Sequence, residues 1–475
     1  MLVGFATFPL LARHLDVGAY GLLGLMTTSA TLMVAFGKLG LQHAILRFYP
    51  AAQLQREGKD LDEMHSTVFV LFAVLIVLSV IAWLIAGWMV VPLVLSSSQL
   101  PGLFPLLAIF IVFRMLSSLL SSMLRSQEQS RAIGLSTMAG RLLYLLLLYG
   151  VGLMSGFSIP FVLSVTVLAE CLVLVCNFWA YRAFIRFDPT RFSLPLAKTL
   201  LVFGIPLMLV EAVGLLVRLT DRYMVGSFLG EFQLGQFAAS TSLVSCVDLI
   251  VIGTIAAAVK PRYNRLWERS GRAKTVSFLQ QGAEVYLLLG IPLAGLFIVI
   301  GKDALVVLAG IRYMPGTVII PYLTMIALLD GLLIFLLAGI HLKGKTSVFV
   351  SWGIITAVLN FAGNFLLIPS FGLEGAVAAT LLAHLVFSIG LIGSAMRWLQ
   401  IDVAWRPVLV VSFATLIAVG VMSLLPFEPG PGAAVAKAAL ALPILVGIPL
   451  VTSAATRKWI ALQSDQLIGR LHRAG

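Results

Sequence analysis

Charged residues are scarce in this chain. Only 11% of its 475 residues are Asp, Glu, Lys or Arg, whereas 60% are hydrophobic, and the mean hydropathy is +1.05. A soluble protein of this length could not keep that much apolar surface out of water. The composition excludes a soluble globular protein and predicts a polytopic membrane protein.

Cysteine is rarer still. The three cysteines, Cys171, Cys176 and Cys246, all lie within apolar runs. Cys171 and Cys176 are five residues apart, so they lie on different faces of a helix. We expect them to be small apolar filler rather than disulfide partners or metal ligands. The histidines in apolar runs also lack the spacing of metal ligands, and no metal site is predicted.

Long apolar runs fill the chain instead. About 14 segments recur, most of them near the ~20 residues that cross a hydrocarbon core of ~30 Å. They are continuous, unlike the alternating segments of transmembrane β-strands. The fold class predicted is an all-α polytopic membrane protein. The segments lie near residues 1–12, 20–46, 65–91, 104–124, 134–154, 158–180, 199–220, 236–259, 277–300, 316–341, 347–367, 374–396, 407–425 and 433–453.

Basic residues mark one side of the membrane. The loops after even-numbered segments, with the C-terminal tail, carry most of the Lys and Arg, as in the cluster at 260–274, while the opposite loops hold only Arg13, Arg222, Lys302 and Arg312. By the positive-inside rule both termini are cytoplasmic, so the net charge of +12 indicates topology rather than nucleic-acid binding. The translocated loops are too short for a catalytic domain, and we expect no enzymatic activity.

An internal repeat suggests the domain organisation. "RHLDVGAYGLLG" (13–24) and "SFLGEFQLGQFAA" (227–239) each place a glycine at the head of a long apolar run, and Gly21 aligns with Gly235. We predict parallel repeats of the kind found in transporters. The expected parts are an N-lobe of six helices at 1–181, whose short first helix we expect to be truncated, a cytoplasmic linker at 182–198, a C-lobe of six helices at 199–396, two further helices at 397–453, and a cytoplasmic basic amphipathic tail at 454–475.

A few charged side chains lie inside the apolar segments. Each costs about 2.5–3.5 kcal/mol at mid-bilayer on insertion scales and therefore needs an explanation. On the segment "FRMLSSLLSSMLR" (113–125), Arg114, Ser118, Ser121 and Arg125 form one polar stripe. The bases within segments are Lys38, Arg114, Arg141 and Arg218, and the acids are Glu170, Glu211, Asp248 and Asp330.

Two interpretations of these charges stay open. The bases either contact an anionic ligand or pair with acids between helices. Arg114 and Arg141 have no acid within two turns on their own helices, which favours ligand contact. Arg218, with acids nearby on its helix, and Lys38 fit both interpretations. Asn360 and Asn364 are predicted to hold helices together by hydrogen bonding or to line a cavity.

Several stretches carry a resemblance to a known family. They are "ARHLDVGAYG" and "GLQHAILRFYP" in the first half, and "GIPLML", "DRYMVGSFLGEFQLGQFAA" and "LNFAGNFLLIPSFGLEGAVAAT" (359–380) in the second. The chain resembles the polysaccharide transporters, or oligosaccharide flippases, of the multidrug/oligosaccharidyl-lipid/polysaccharide (MOP) exporter superfamily. It departs from them in its short first segment and in Lys38. The resemblance implies two six-helix lobes around a central cavity, plus two extra C-terminal helices.

The resemblance also implies a function. It is the flipping of an undecaprenyl-pyrophosphate-linked oligosaccharide to the outer leaflet of a bacterial cytoplasmic (inner) membrane, by alternating access. The four bases would bind the headgroup and the four acids are candidates for ion coupling. No cofactor is expected, and a proton or sodium gradient or the membrane potential would supply the driving force. The expected partners are the polyprenyl-pyrophosphate-linked glycan, membrane lipids and polysaccharide polymerase machinery, but no nucleic acid, and the chain is expected to be a monomer.

Two alternatives remain. One is a drug or cation antiporter like those of the multidrug (MATE) branch of the same superfamily. The other is a non-transporting membrane scaffold of a polysaccharide assembly complex.

Overall fold

The computed structural model describes residues 2–54, 59–89, 101–185, 187–345, 347–424 and 430–440. Every regular element within these ranges is helical. Short 3-10 turns occur at Pro101–Leu103, Arg182–Phe184, Pro189–Arg191 and Ile311–Ile319. The α-helices are α1 (Leu2–His14), α2 (Val17–Gly37), α3 (Leu41–Leu54), α4 (Lys59–Met89), α5 (Phe104–Ser126), α6 (Ser130–Gly150), α7 (Gly152–Ser155), α8 (Ile159–Tyr181), α9 (Leu194–Ala309), α10 (Ile320–Leu336), α11 (Ala338–Leu342), α12 (Ser347–Met396) and α13 (Trp405–Leu424).

The helices confirm the predicted all-α membrane class. Over the described ranges, nine helices are long and apolar enough to cross a membrane. The count of about 14 spans stays a prediction, because several predicted segments lie within single long helices. Of the last segment, 433–453, only the part up to residue 440 is described, and the predicted tail at 454–475 lies outside the described residues.

Two of the long helices contain backbone breaks where the sequence predicts loops. α9 has 116 residues and contains Gly230 and Gly271, whose φ angles of 85° and 74° are left-handed. The chain reverses near Gly271, since Tyr263 before it and Leu279 after it share one buried cluster. α12 is broken at Gly372, with φ 59° and ψ −133°.

The two arms of α12 form an antiparallel hairpin. A Cβ added at Gly363 would lie 2.9 Å from the Cβ of Ala379, so the arms are closely packed there. Asn360 donates to the hydroxyl of Thr380 at 3.1 Å, and both Asn360 and Asn364 are fully buried. These positions fit a packing role of the kind that polar side chains have between membrane helices.

The chain packs as two compact units, one of residues 2–235 and one that begins at Gln236. The lobe boundaries predicted from the repeat stay predictions. In the first unit, the two glycines that the repeat aligns lie in backbone contact: a Cβ on Gly21 would come 2.5 Å from the amide nitrogen of Gly235. In the second unit, one buried cluster gathers Tyr263, Leu279, Phe335 and neighbouring apolar residues.

The frame of the first unit is formed by three helices, α5, α6 and α8. α8 packs against both α5 and α6. Gly140 of α6 permits the approach to α8, since a Cβ there would lie 3.1 Å from the carbonyl oxygen of Ala169. The faces of α5, α6 and α8 that remain open line a cavity.

Candidate functional site

A cavity of about 740 Å³ lies within the first unit. Its wall is formed by the α2–α3 junction, the three framing helices and the first part of α9. The lining side chains are mostly polar or charged. They include Lys38, Gln42, His43, Arg114, Ser117, Ser118, Ser121, Ser122, Arg125, Thr137, Arg141, Tyr144, Thr166, Glu170 and Glu211.

The polar stripe of α5 faces this cavity. All four of its members, from Arg114 to Arg125, line the wall. The opposite face is closely packed, with Met115 and Met123 at 0% exposure and Leu119 at 1%. Helical periodicity thus places the arginines on the open side because the apolar side is occupied by neighbouring helices.

Arg114 forms an ion pair between helices. Its Nη1 atom donates to both carboxylate oxygens of Glu170 on α8, at 3.0 and 3.2 Å. The Arg114 side chain is nevertheless 55% exposed, against 12% for Glu170. Only one of its three nitrogens serves Glu170, which leaves N–H groups available to a ligand in the cavity. The two interpretations of Arg114 are therefore compatible.

A buried asparagine fixes the relative positions of the three framing helices. Asn177 of α8 accepts a hydrogen bond from Ser136 of α6 at 2.7 Å and donates one to Ser121 of α5 at 3.1 Å. Two helical turns before Ser121 and Asn177, the same faces of α5 and α8 carry Arg114 and Glu170. Sequence reasoning missed Asn177; its signal was a lone amide in an apolar run, where an unsatisfied polar group is costly.

Glu211 lies at the α2–α3 junction. Its carboxylate accepts a hydrogen bond from Gln42 Nε2 at 3.0 Å, and Lys38 Nζ and His43 Nε2 approach it at 3.8 and 4.0 Å. Its partner among the predicted bases is thus Lys38 and not Arg218. Gln42 and His43 are further residues that the sequence did not assign to a site.

The remaining bases differ in their positions. Arg141 lines the cavity, as does Arg125, which the sequence placed on the stripe but not among the ligand-binding residues. In the part of the chain that the structure describes, neither forms an ion pair with a carboxylate. Arg218 is exposed on α9 and is not part of the cavity lining.

The other candidate coupling acids belong to the second unit. Asp330 of α10 lies 3.0 Å from the ring Nε2 of His384, an approach at ion-pair distance but away from the direction of a good hydrogen bond. Asp248 lines a mainly apolar pocket of about 90 Å³ together with Tyr286 and Thr324. Over the described residues, no group of three or more His, Cys, Asp or Glu side chains is arranged to hold a metal ion.

Residues 339–346, GIHLKGKT, match the G-x-x-x-x-G-K-T spacing of nucleotide-phosphate loops. In the structure this stretch begins as helix α11, and Gly344, with φ 63°, follows the end of that helix. The amide of Gly344 donates to the carbonyl of His341, and that of Lys345 donates to the carbonyl of Ile340. These amides close the helix end and do not form a phosphate cradle.

The cavity combines four cations with two carboxylates. A family model described as "Polysaccharide biosynthesis protein" matches residues 1–267, more than half of the chain and all of the unit that holds this cavity. The chain belongs to the polysaccharide biosynthesis protein family. No curated protein matches it.

Solved structures agree on the fold. "Lipid II flippase MurJ, inward closed conformation" is 16% identical and superposes with a TM-score of 0.74, covering 95% of this chain and 96% of that one. An inward-facing multidrug resistance MATE family transporter of the MOP superfamily is 15% identical, with a TM-score of 0.68 over 83% of this chain and 94% of its own. An outward-facing MATE structure, at 15% identity, gives 0.57 over 84% and 93%. At these identities the likeness shows the fold alone, and it confirms the predicted MOP fold of this family member.

Proposed function

We propose that this protein flips an undecaprenyl-pyrophosphate-linked oligosaccharide from the cytoplasmic to the outer leaflet of a bacterial cytoplasmic membrane, by alternating access. The charge of the cavity is the observation that supports this most. Lys38, Arg114, Arg125 and Arg141 line it together with only two carboxylates. The excess of two positive charges matches the charge of about −2 expected on a pyrophosphate diester, since phosphate groups pair strongly with guanidinium.

The cationic side chains of the cavity suit an anionic headgroup rather than a small metal ion. Guanidinium groups present several N–H donors in a plane and stay charged at any working pH. Arg141 has no carboxylate partner in the described residues, so it is free to receive an anion. The hydroxyls of Ser118, Ser121 and Thr137 add uncharged donors and acceptors to the same wall, suited to sugar or phosphate oxygens.

Outward transfer of an anion also agrees with membrane energetics. A negatively charged headgroup that leaves a negative cell interior gains about 2.3 kcal/mol per charge per 100 mV. A proton or sodium gradient would add to this through one of the acids Glu170, Glu211, Asp248 or Asp330. We further propose that the chain works without a cofactor, as a monomer with cytoplasmic termini, among membrane lipids and beside polysaccharide polymerase machinery.

The alternatives account less well for this cavity. An acidic cavity would favour the binding of cationic drugs, whereas in this cavity the bases outnumber the acids. A non-transporting scaffold has no use for a charged cavity of this size, because charges inside a membrane are costly to keep.

The test is mass spectrometry of polyprenyl-linked glycans in a strain that lacks the gene. We expect one pyrophosphoryl-linked oligosaccharide to accumulate and to be cleared by the wild-type protein but not by Arg141→Gln. Arg131→Gln is the matched control, because Arg131 is an arginine of the same helix outside the cavity lining. No accumulation in the deletion strain would refute the flippase proposal.

A further inference from the structure

One carboxylate of the cavity is surrounded by donors of the kind that bind oxyanions. Glu211 is approached by an amide donor, an ammonium and an imidazole, from Gln42, Lys38 and His43, at 3.0, 3.8 and 4.0 Å. Amide, lysine and histidine donors around an oxygen-bearing anion are also what binds phosphate groups. The chain therefore supplies the site and, in this structure, its occupant.

The Glu211 contact differs from the other ion pair of the cavity. Glu170 is only 12% exposed and both its oxygens are within 3.2 Å of one arginine nitrogen. The Glu211 side chain is 40% exposed, and both its basic neighbours lie at 3.8 Å or more. Because Glu211 is open to the cavity and loosely paired, replacing it by another anion costs little desolvation. Glu170, in contrast, is held in place.

The backbone builds this site locally. Between α2 and α3, Leu39 and Gly40 have φ angles of 45° and 72°, which turns the chain so that Lys38 caps the end of α2 and Gln42 lies in the first turn of α3. Gly204 packs directly on this turn, since a Cβ there would lie 2.6 Å from the carbonyl oxygen of Leu39. Glu211 follows Gly204 by two helical turns on α9. The contact of the two backbones thus fixes the carboxylate opposite its donors.

We propose that Lys38, Gln42 and His43 form an oxyanion subsite, that Glu211 occupies it as a resident counter-ion when no substrate is bound, and that a pyrophosphate group displaces Glu211. This proposal rests on the proposed function and deepens it. Arg125, without an ion-pair partner in the described chain, lines the same cavity and adds positive charge for the incoming group. Displacement also breaks the polar contact between α9 and the α2–α3 junction, so the arrival of substrate loosens that packing.

The test is the affinity of the purified full-length protein in nanodiscs for inorganic pyrophosphate, measured by isothermal titration calorimetry. Glu211→Gln removes the competing charge, and we expect a Kd about tenfold lower than that of the wild type, which corresponds to about 1.4 kcal/mol. Lys38→Met should weaken binding. In the Lys38→Met background, Glu211→Gln should gain much less than tenfold, because the cation that it would liberate is gone. Glu374→Gln, at an exposed carboxylate outside the cavity lining, is the control and should leave Kd unchanged.

A second arm separates a lipid headgroup from free pyrophosphate. Nanodiscs that contain undecaprenyl pyrophosphate should raise the apparent Kd for inorganic pyrophosphate, because both compete for the subsite. An unchanged apparent Kd would overturn the assignment of the subsite to the lipid headgroup.

The outcomes also separate this proposal from the proposed function. Wild-type binding with an unchanged or higher Kd in Glu211→Gln would overturn the counter-ion role and leave the flippase standing. The same gain with and without Lys38 would overturn the subsite. Absence of wild-type binding, together with no glycan accumulation in the deletion strain, would refute both.

Discussion

The pair of Arg114 and Glu170 makes stability and transport separable. Arg114→Gln leaves the Glu170 carboxylate, only 12% exposed, without its cation. Breaking a buried ion pair costs about 3–5 kcal/mol, but an exposed pair is worth at most about 1 kcal/mol. Because the Arg114 side chain is 55% exposed to the cavity, water can reach the carboxylate from that side. We therefore expect a loss of about 1–2 kcal/mol, between the two limits.

The double variant Arg114→Gln/Glu170→Gln removes both charges and leaves two amides of similar size. Its free energy of unfolding should return to within about 0.5 kcal/mol of the wild type, since no unpaired charge remains. Clearance of the lipid-linked glycan should not return, because the cation that the substrate needs is absent. The assays are thermal unfolding in detergent, with Arg131→Gln as control, and glycan mass spectrometry in the deletion strain.

Two results would refute this reasoning. If the double variant unfolds as easily as Arg114→Gln alone, the loss does not come from a stranded carboxylate. If the double variant clears the glycan as well as the wild type, the Arg114 cation plays no part in binding.

Three further predictions concern the first unit. Gly21→Ala should cost about 1–3 kcal/mol, because the added Cβ meets the facing backbone, whereas Gly134→Ala, with open space at its Cβ position, should be neutral or slightly stabilising in the same thermal assay. Asn177→Ala should cost about 1–3 kcal/mol by leaving two serine hydroxyls without their partner, and it should lower transport through the shifted helices. At the linker, hydrogen bonds from Thr190 hold the pKa of Asp188 below its ordinary value of 3.8. The stabilising contribution of the Asp188 carboxylate is therefore present above pH 3.8 and is lost as the pH falls through the lowered pKa. The difference in Tm between wild type and Asp188→Asn should accordingly shrink toward zero in acid.

Each of these has a clear contrary result. Equal Tm values for Gly21→Ala and Gly134→Ala would contradict the close backbone approach. A stable but inactive Asn177→Ala would mean that the amide contacts substrate rather than positioning helices. A difference at Asp188 that persists below the lowered pKa would show that its contribution does not depend on ionisation.

The polar stripe on α5 shows how far a sequence can determine a site. Its spacing follows from the helical period, and its exclusion from the apolar face follows from the cost of burying charge. Arg114, Arg141 and Lys38 could be singled out because the membrane makes every charge conspicuous. Arg125 was on the stripe but was not assigned to the site, since a base near the end of a segment is also expected from topology alone.

The structure decides between interpretations that the sequence leaves open where the partners come from other helices. In the sequence, Arg218 and Lys38 each fit both ligand contact and pairing with an acid, and the structure places Glu211 beside Lys38. Residues 339–346 also have the spacing of a nucleotide-phosphate loop, but in the structure the amides of Gly344 and Lys345 close the end of α11. A pattern of residue types specifies a loop only when the backbone leaves its donors unpaired.

The sequence by itself determined the membrane class, the helical content and the charged positions, because these depend on hydrophobicity and on a local period of 3.6 residues. Only the tertiary structure decided which charges are already neutralised. Arg114 is joined to Glu170 and Lys38 to Glu211, while Arg125 and Arg141 have no carboxylate partner in the described chain. The physical reason is that an ion pair depends on a few ångströms between side chains far apart in sequence, and those distances are set by packing between helices such as Gly40 against Gly204 and Asn177 against its two serines.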